Sequence, residues 1–395
     1  MKTDLITTVQ TISQTVLRRW AADVDAKNRF PQESIDALRE AGLFGYFIPT
    51  QYGGLGGDLK TAVKIAALLG EKCLSTALIW GMHLHQVAVL ADHAADAQAD
   101  VLTTIAREGT LVASVTSEPE KGGDLLRAWA PIQPEGNRLR VRRAAPIVSY
   151  GAEAGYFLIT MRSGEDKPDT DVSLVLVTPE DGEITVTGEW NAMGTRGTRS
   201  VPMTFDVLVD PSRIIGKSFR EVVMQTMIPA VHIGWTAAWY GGARGAFRRF
   251  VSQLRTMGAT GKRKLDSDLF LSRLARLRVS LDLLEAMLNQ TTERVQSLRQ
   301  NQATLKEYED ITHNIGLDNL KIAGSELAFS IVDGLIELSN FNQGYLKNEP
   351  YGLERVFRDL RSASLQYKND RLLEANGKLS QFNWLASLIN NTEII

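Results

Sequence analysis

A short stretch at residues 113–124 separates parts of the sequence that differ in secondary-structure type. It reads Ala-Ser-Val-Thr-Ser-Glu-Pro-Glu-Lys-Gly-Gly-Asp, and the β-branched run leading into it stops abruptly in a polar turn. Proline fixes φ and removes a donor, and paired glycines let the backbone approach a flat or bulky group. By itself the stretch is typical of a strand ending in a turn. Helical periodicity precedes it, short apolar runs follow, and helical periodicity then returns. We therefore predict an all-α domain at 1–109, a β-domain at 110–212 and an α-helical bundle at 213–395.

The middle block carries short β-branched or aromatic runs separated by Gly, Asp, Pro or Glu clusters. We expect strands at Val112 to Thr116, Arg138 to Val141, Tyr156 to Met161, Val172 to Val177, Ile184 to Thr187 and Met203 to Val209. They predict an antiparallel barrel or sandwich, which makes the fold class α+β. Apolar residues from Phe270 to Leu298 recur at steps of four and three. That spacing indicates a long helix in a four-helix bundle, with an isolated coiled coil as the alternative.

The charge of the chain argues against nucleic acid or a membrane surface as a partner. Lys and Arg total 44 and Asp and Glu total 46, which gives a formal net charge of −2 without long blocks of one sign. The single cysteine, Cys73, excludes an internal disulfide and fits a reducing compartment. No set of Cys, His and carboxylate residues has metal-ligand spacing. No uninterrupted apolar stretch reaches the roughly 18 residues of a membrane helix. We expect a cytoplasmic protein without a metal site.

Three motifs in the sequence combine glycine with polar residues. Residues 43–57 read Leu-Phe-Gly-Tyr-Phe-Ile-Pro-Thr-Gln-Tyr-Gly-Gly-Leu-Gly-Gly. The first motif of the β-domain is the turn at 117–124, and the second is Trp190-Asn-Ala-Met-Gly-Thr-Arg-Gly-Thr-Arg-Ser200. These motifs resemble the acyl-CoA dehydrogenase superfamily. The resemblance covers nearly the whole chain and implies the same order of domains. It also implies that FAD, or alternatively FMN, lies between the β-domain and the bundle.

The resemblance places this flavin along two strand ends. Its contacts would come from Ser114, Val115, Thr116, Ser117 and Gly123 around the first motif and from Ile147, Val148 and Ser149 of the next strand. Hydroxyls and backbone N–H groups suit a cofactor with little charge and many acceptors. The sequence departs from the family pattern where Gly123 replaces a serine, Pro146 a tryptophan and Val148 a threonine.

The glutamate that serves the family as catalytic base is replaced at both of its usual places. In the family this glutamate removes the α-proton of an acyl thioester while the β-hydride passes to the flavin. Counting from Arg358 puts Tyr367 at one place, and the glycine–alanine run at 241–247 puts Val231 at the other. A neutral tyrosine with a pKa of about 10 is a poor acceptor for this proton. His85 and His232 are the remaining candidates, each with a core or capping role as the alternative.

The resemblance implies a flavin-dependent oxidoreductase that acts on an acyl thioester of CoA or of an acyl carrier protein. Because the glutamate is replaced, we expect feeble or absent turnover of simple saturated acyl-CoAs. One alternative is a flavin monooxygenase, supplied by a flavin reductase, that uses O₂ to hydroxylate nitrogen, sulfur or carbon. Another is a flavin-free binding protein on the same fold. The family and the long apolar seam imply a homodimer or homotetramer.

Overall fold

Helices make up the N-terminal part of the chain. The computed structural model describes residues 4–119, 124–347 and 352–382. The N-terminal helices in that range are α1 (Leu5–Ile12), α2 (Arg18–Lys27), α3 (Gln32–Glu40), α4 (Leu59–Gly70), α5 (Leu74–His93) and α6 (Ala99–Glu108). A π-helical turn, Ser13–Leu17, joins α1 to α2, so helical structure runs from Leu5 to Lys27 as predicted. Asp58 caps α4 by accepting the backbone N–H of Thr61, and α6 ends at the left-handed Gly109.

The described residues of the β-domain form two four-stranded sheets. Its strands are β1 (Val112–Val115), β2 (Ile132–Glu135), β3 (Arg138–Val148), β4 (Tyr156–Arg162), β5 (Val172–Val177), β6 (Gly182–Val186), β7 (Val201–Val209) and β8 (Ile214–Ile215). One sheet has the order β1-β4-β5-β8 and the other β2-β3-β7-β6. Alternate residues of β7 are buried, which is typical of a sheet packed on one face.

The structure corrects three details of the predicted β-domain. β1 and β4 pair in parallel, with Ser114 opposite Leu158, so the sheets are not wholly antiparallel. The parallel pair arises because β2 and β3, which belong to the other sheet, lie between these strands in sequence. β8 lies beyond residue 212 and pairs with β5, so this sheet extends past the predicted boundary. The sequence analysis did not predict β2, because three of its four residues, Gln133, Pro134 and Glu135, are uncommon within strands.

Long helices form the C-terminal bundle. Its helices are α7 (Phe219–Glu221), α8 (Ile228–Thr256), α9 (Gly258–Leu265), α10 (Asp268–Gln300), α11 (Leu305–Tyr308), α12 (Ile311–Leu338), α13 (Phe341–Gly344), α14 (Leu353–Arg361) and α15 (Asn369–Leu379). The predicted seam of α10 is confirmed, since Leu281, Leu284 and Leu288 are buried. α8 packs so closely on α4 that a Cβ on Gly241 would lie 2.2 Å from the Ala67 carbonyl oxygen. Glycine in the 241–245 run therefore lets the bundle dock on the N-terminal helices.

One helix in the described part of the chain, α5, is long and apolar enough to cross a membrane. Inside the protein, 83% of its apolar window is buried. It packs against α4, α8 and β1. The same composition that suits a membrane span therefore serves here as the core of the fold.

Arg358 of α14 connects three parts of the chain. Its guanidinium donates to both carboxylate oxygens of Asp25 on α2, at 2.9 Å and 2.6 Å, and to the Met193 carbonyl at 3.0 Å. Glu354, one turn earlier, accepts from Nε at 2.8 Å. The side chains of Arg358 and Asp25 are 18% and 10% exposed, so solvent screens this bidentate pair only weakly.

The next residue, Asp359, fastens the second motif to the same helix. Its Oδ1 accepts the backbone N–H of Thr195 at 2.5 Å. A Cβ on Gly194 would lie 2.1 Å from the Arg358 carbonyl oxygen, so only glycine permits this approach. Burial raises the pKa of Asp359 to about 7, and the Thr195 N–H acts in the opposite direction. Asp25, Gly194, Thr195, Arg358 and Asp359 form an interdomain clasp.

Glu118 of the first motif holds the loop that follows β1. Its carboxylate accepts the N–H groups of Trp129 and Ala130, at 3.0 Å and 2.8 Å, and pairs with Arg143 of β3. Arg143 also donates to the Ser117 carbonyl at 3.0 Å. Both charged side chains are buried, and desolvation lowers the pKa of Arg143 to about 10 against the attraction of Glu118. The glutamate of this motif therefore shapes the loop from inside.

Replacing Arg358 with glutamine should destabilise the protein by about 3 kcal/mol, because Asp25 would keep a poorly solvated charge without its partner. We expect a lower midpoint of urea unfolding. Arg361→Gln, at an exposed position of the same helix, is the matched control and should change stability by less than about 0.5 kcal/mol. Equal midpoints for the two variants would show that the clasp contributes little to stability.

Candidate active site

β1 is an edge strand whose outer edge leads to the first motif. In its sheet it has one neighbour, β4. Near its start, Val112 donates to Nδ1 of His83 at 3.0 Å and accepts from the Tyr150 hydroxyl at 3.1 Å. Ser114 follows on the same edge, because backbone groups of alternate residues point to the same side of a strand. Ser114 is half-buried, whereas the Val115 side chain is completely buried in the core.

The two predicted flavin-binding segments meet at a β-bulge. The pairing of β3 with β7 shifts between Ala145 and Val148, so Ile147 lies outside the ladder. The Ser117 hydroxyl donates to the Ile147 carbonyl at 2.8 Å and accepts its N–H at 3.4 Å. Ile147 is 51% exposed, whereas Val148 is completely buried. A flavin contact from Val115 or Val148 would therefore have to use backbone groups.

The other predicted flavin contacts are Ser149, Thr116 and Gly123. Ser149 shares a hydrogen bond of 2.9 Å with Ser200, whose hydroxyl also lies 2.9 Å from that of Thr198. This chain of hydroxyls connects the end of β3 to the second motif. Thr116 is half-buried directly after β1. Gly123 lies outside the described residues.

A buried lysine holds the turn between α14 and α15, which carries Tyr367. Nζ of Lys321, on α12, donates to the Tyr367 carbonyl and to Oδ1 of Asn369, both at 2.7 Å. Lys321 is completely buried, and this burial lowers its pKa to about 8. Tyr367 has a φ of 50°, a left-handed conformation that is uncommon for a bulky residue. Lys321 thus fixes the turn through its backbone.

Tyr367 is buried and lies within the field of two carboxylates. Burial raises its pKa to about 12, and the charges of Asp318 and Asp124 act in the same direction. Tyr367 is therefore a poor proton acceptor. Asp124 ends the first motif, so this motif and the α14–α15 turn lie close enough for their charges to interact.

His232 of α8 lies beside the same turn as a neutral imidazole. Its ring centroid is 6.2 Å from that of Tyr367. Nδ1 is 3.3 Å from the Leu317 carbonyl, which can only accept, so Nδ1 carries the proton. Burial, together with the charge of Lys321, lowers the pKa of His232 to about 3. This histidine is a weak base at neutral pH.

His83 and His85 are buried residues of α5. Nε2 of His83 donates to the Phe44 carbonyl at 2.8 Å, while its Nδ1 accepts from Val112. His85 contacts the side-chain amide of Gln86 through Nε2. Burial lowers the pKa of His83 to about 4 and that of His85 to about 3. This geometry agrees with a core or capping role for both.

Two functional candidates on α12, Asp318 and Lys321, escape sequence analysis. Their three-residue spacing puts them on one helix face, which by itself indicates a solvated face. In the fold, α8 and the α14–α15 turn pack against that face. The Asp318 side chain is 14% exposed, and burial raises its pKa to about 7 while Lys321 acts in the opposite direction.

A cavity of about 400 Å³ lies away from these residues, between the C-terminal half of α8 and α10. Arg244 and Arg248 on its wall pair with the buried Glu71, and Arg278 pairs with Asp282. Most of the basic wall is therefore neutralised, and the cavity is a poorer candidate than the motif region. Across the described ranges, no group of three or more His, Cys, Asp or Glu residues could hold a metal ion.

Two family models match the chain. The N-terminal domain of acyl-CoA dehydrogenase matches residues 2–108, and the C-terminal domain matches residues 221–366. The short-chain specific acyl-CoA dehydrogenase of Clostridium acetobutylicum is 22% identical over 89% of this chain and 90% of that protein. A protein of Mycobacterium leprae named "Probable acyl-CoA dehydrogenase fadE25" is 24% identical over 54% of this chain, and the match spans about half of that protein's length, 56%.

Solved structures share the fold at low sequence identity. Butyryl-CoA dehydrogenase from Megasphaera elsdenii has a TM-score of 0.84 at 16% identity, covering 95% of this chain and 96% of that chain. FMN-bound TdsC, a dibenzothiophene monooxygenase from Paenibacillus sp. A11-2, has a TM-score of 0.85 at 19% identity, covering 96% and 97%. One fold thus holds both kinds of enzyme. The two family models and the α, β, α order of the domains show that this chain belongs to the acyl-CoA dehydrogenase superfamily of flavin-dependent enzymes.

Proposed function

We propose that this chain is an oxidoreductase that uses a flavin to act on an acyl thioester, carried by CoA or by an acyl carrier protein. The observation that carries the proposal is the meeting of the first motif, the β3 bulge and the α14–α15 turn. The Ser117 hydroxyl donates a hydrogen bond to the Ile147 carbonyl there, and the negative charge of Asp124 helps to raise the pKa of Tyr367. The match to an acyl-CoA dehydrogenase over 90% of its length supports the thioester class.

The residues of this region fit a flavin. A flavin ring is flat and carries little charge, so it needs neutral hydrogen-bonding groups at its edge and apolar surface against its face. The outer edge of β1 at Ser114 and Thr116 would supply backbone groups and hydroxyls. Ile147, half exposed at the bulge, would supply apolar surface. This donor set matches the chemistry of the cofactor.

Ser117 and Ser149 would act less directly. Their hydroxyls already bond to Ile147 and Ser200, so they would hold the segments that contact the flavin. We propose FAD as the flavin, with FMN as the alternative because FMN is bound in TdsC, which shares the fold.

A bound flavin would accept a hydride from the substrate, and the chain must supply a base for the α-proton. Tyr367, with a pKa raised to about 12, and Val231, without an acidic group, do not supply it. His85 and His232 have pKa values lowered to about 3. The interdomain clasp and Lys321 position the second motif and the α14–α15 turn.

A flavin monooxygenase is the second candidate. The observation that favours it is the residue pair Val231 and Tyr367, because neither of these described positions holds a carboxylate. Such an enzyme would receive reduced flavin from a separate reductase and would need no base for an α-proton. A binding protein without flavin is the third candidate.

We also propose a cytoplasmic protein that acts as a homodimer or homotetramer, without nucleic acid or membrane as a partner. α10 carries a second apolar face, on which Leu269, Val279 and Leu283 are 64%, 57% and 60% exposed. Exposed apolar surface of this kind marks interfaces between proteins.

Replacing Thr116 and Ser117 together with leucine should abolish flavin uptake, because the change removes the Thr116 hydroxyl from the proposed ring edge, breaks the hydrogen bonds by which Ser117 holds Ile147, and adds bulk. Flavin absorbance per protein measures the loss, and circular dichroism checks the fold. Thr185→Leu with Thr187→Leu, at exposed positions in and after β6, is the matched control and should keep its flavin. Equal flavin content in both double variants would refute the placement.

Anaerobic flavin reduction separates the candidate functions. The purified protein should be yellow, and an acyl thioester of CoA or of an acyl carrier protein should bleach it under anaerobic conditions. Bleaching by butyryl-, octanoyl- or palmitoyl-CoA should be slow, because the glutamate of the family is replaced at both of its usual places. Mass spectrometry of the released cofactor would identify FAD or FMN. Rapid O₂ consumption with externally reduced flavin, without bleaching by thioesters, would favour the monooxygenase. A colourless protein that takes up no flavin would favour the binding protein.

Light scattering at micromolar concentration should give a dimer or tetramer mass. The double variant Val279→Glu with Leu283→Glu should have a lower measured mass, because each subunit would have to bury two charges in the interface. Val186→Glu, at a 42% exposed position of β6, is the control and should leave the mass unchanged. A monomer mass for the wild type would reject the oligomer.

A further inference from the structure

Asp318 is a mostly buried carboxylate without a hydrogen-bond donor among the described residues. Nδ1 of His232 lies 3.8 Å from Oδ1 of Asp318 but donates its proton to the Leu317 carbonyl. Lys321, three residues later on α12, donates instead to Tyr367 and Asn369. Buried carboxylates are ordinarily paired or hydrogen-bonded, so this one requires an explanation.

The groups around Asp318 come from three elements. α8 contributes His232, which is neutral. α12 contributes the cation of Lys321, whose charge is shared with Glu326. The α14–α15 turn contributes Tyr367, a neutral phenol that also lies within the field of Asp124. Asp318 therefore lies on the side of the bundle that holds Tyr367, the position that the family resemblance assigns to its glutamate.

We propose that Asp318 is the catalytic base that removes the α-proton of the substrate, from a position on α12. The proposal rests on the thioester oxidoreductase function given above. The α-C–H bond breaks as an O–H bond forms on the Asp318 carboxylate. The electron pair of the broken α-C–H bond becomes the α,β double bond, while the β-carbon loses a hydride to the bound flavin. The products are a 2-enoyl thioester, reduced flavin and a protonated Asp318.

The chemistry of the neighbouring groups favours Asp318 over each of them as the base. A general base works best when its pKa lies near the operating pH. Burial raises the pKa of Asp318 to about 7, whereas the pKa of His232 is lowered to about 3 and that of Tyr367 is raised to about 12. Among the described residues, the other aspartate whose pKa is raised by burial is Asp359, which is engaged by Thr195 in the interdomain clasp.

When Asp318 is ionised, its buried and unpaired charge should lower the free energy of unfolding of the protein. Between its ordinary pKa of 3.8 and the folded value of about 7, the folded protein keeps a proton on Asp318 that the unfolded chain releases. The stability that this group contributes is therefore fully present below pH 3.8 and is lost as the pH rises through 7. Asparagine has nearly the same shape and cannot ionise, so Asp318→Asn avoids that loss.

The first experiment measures thermal unfolding of the flavin-bound protein from pH 4 to pH 8. Asp318→Asn should melt at least about 2 °C above the wild type at pH 8, and the difference should close toward pH 4. Asp333→Asn, at an exposed position of the same helix, should follow the wild type throughout. A lower melting temperature for Asp318→Asn at pH 8, or none of this pH dependence, would identify a structural carboxylate and overturn the proposal.

The second experiment follows the α-proton itself. The flavin-bound protein is incubated in D₂O with butyryl-, octanoyl- or palmitoyl-CoA, and deuterium at the α-carbon is measured by mass spectrometry beside anaerobic flavin reduction. Asp318→Asn should slow both processes by about 100-fold or more, with Asp333→Asn unchanged and Asp318→Glu intermediate.

The outcomes separate this proposal from the function on which it rests. If the wild type neither exchanges the α-proton nor reduces its flavin with any thioester, the thioester function fails and the base assignment fails with it. If wild type and Asp318→Asn react equally fast, the function stands and the base assignment alone is overturned.

Discussion

The ion pair between Arg358 and Asp25 is the interaction on which the arrangement of the molecule depends. It joins a helix near the C-terminus to one near the N-terminus, and its third hydrogen bond reaches the β-domain at Met193. Asp359 adds a bond to Thr195, and Gly194 permits the backbones to touch. Because the turn with Tyr367 follows α14 directly, its position relative to the β-domain is set by these contacts. Residues of the second motif, Met193, Gly194 and Thr195, thus help to hold the domains together.

Local sequence patterns were sufficient to predict the architecture. The apolar spacing of α10 and the β-branched runs of β5 and β7 each report on a single element, and each element is present in the structure. Pairing between elements was less predictable. The parallel pair of β1 and β4 depends on an excursion of the chain through the other sheet, and β8 has only two residues. Such features depend on contacts between distant parts of the chain, which periodicity does not record.

The candidate site, like the fold, was predictable from the sequence only in part. Sequence motifs located the segments that meet near β1 but did not distinguish exposed from buried residues. Ile147 is 51% exposed, whereas the adjacent Val148 is completely buried. Glu118 matches a flavin-site motif, yet its carboxylate is used inside the loop by Arg143 and two backbone N–H groups. Asp318 and Lys321 gain their unusual environment only when α8 and the α14–α15 turn cover them. A charged residue within a helix cannot be recognised as buried until its neighbours are placed.

Lys321 holds the α14–α15 turn by the carbonyl of Tyr367, so the shape of that turn is independent of the side chain at position 367. A residue there can be exchanged without removing the bond that supports its backbone. The left-handed φ of 50° would even be less strained with asparagine or glycine. The fold therefore separates the support of this turn from the chemistry displayed on it. Within such a framework, a reactive group can be lost from the turn and gained on an adjacent helix while the backbone path stays the same.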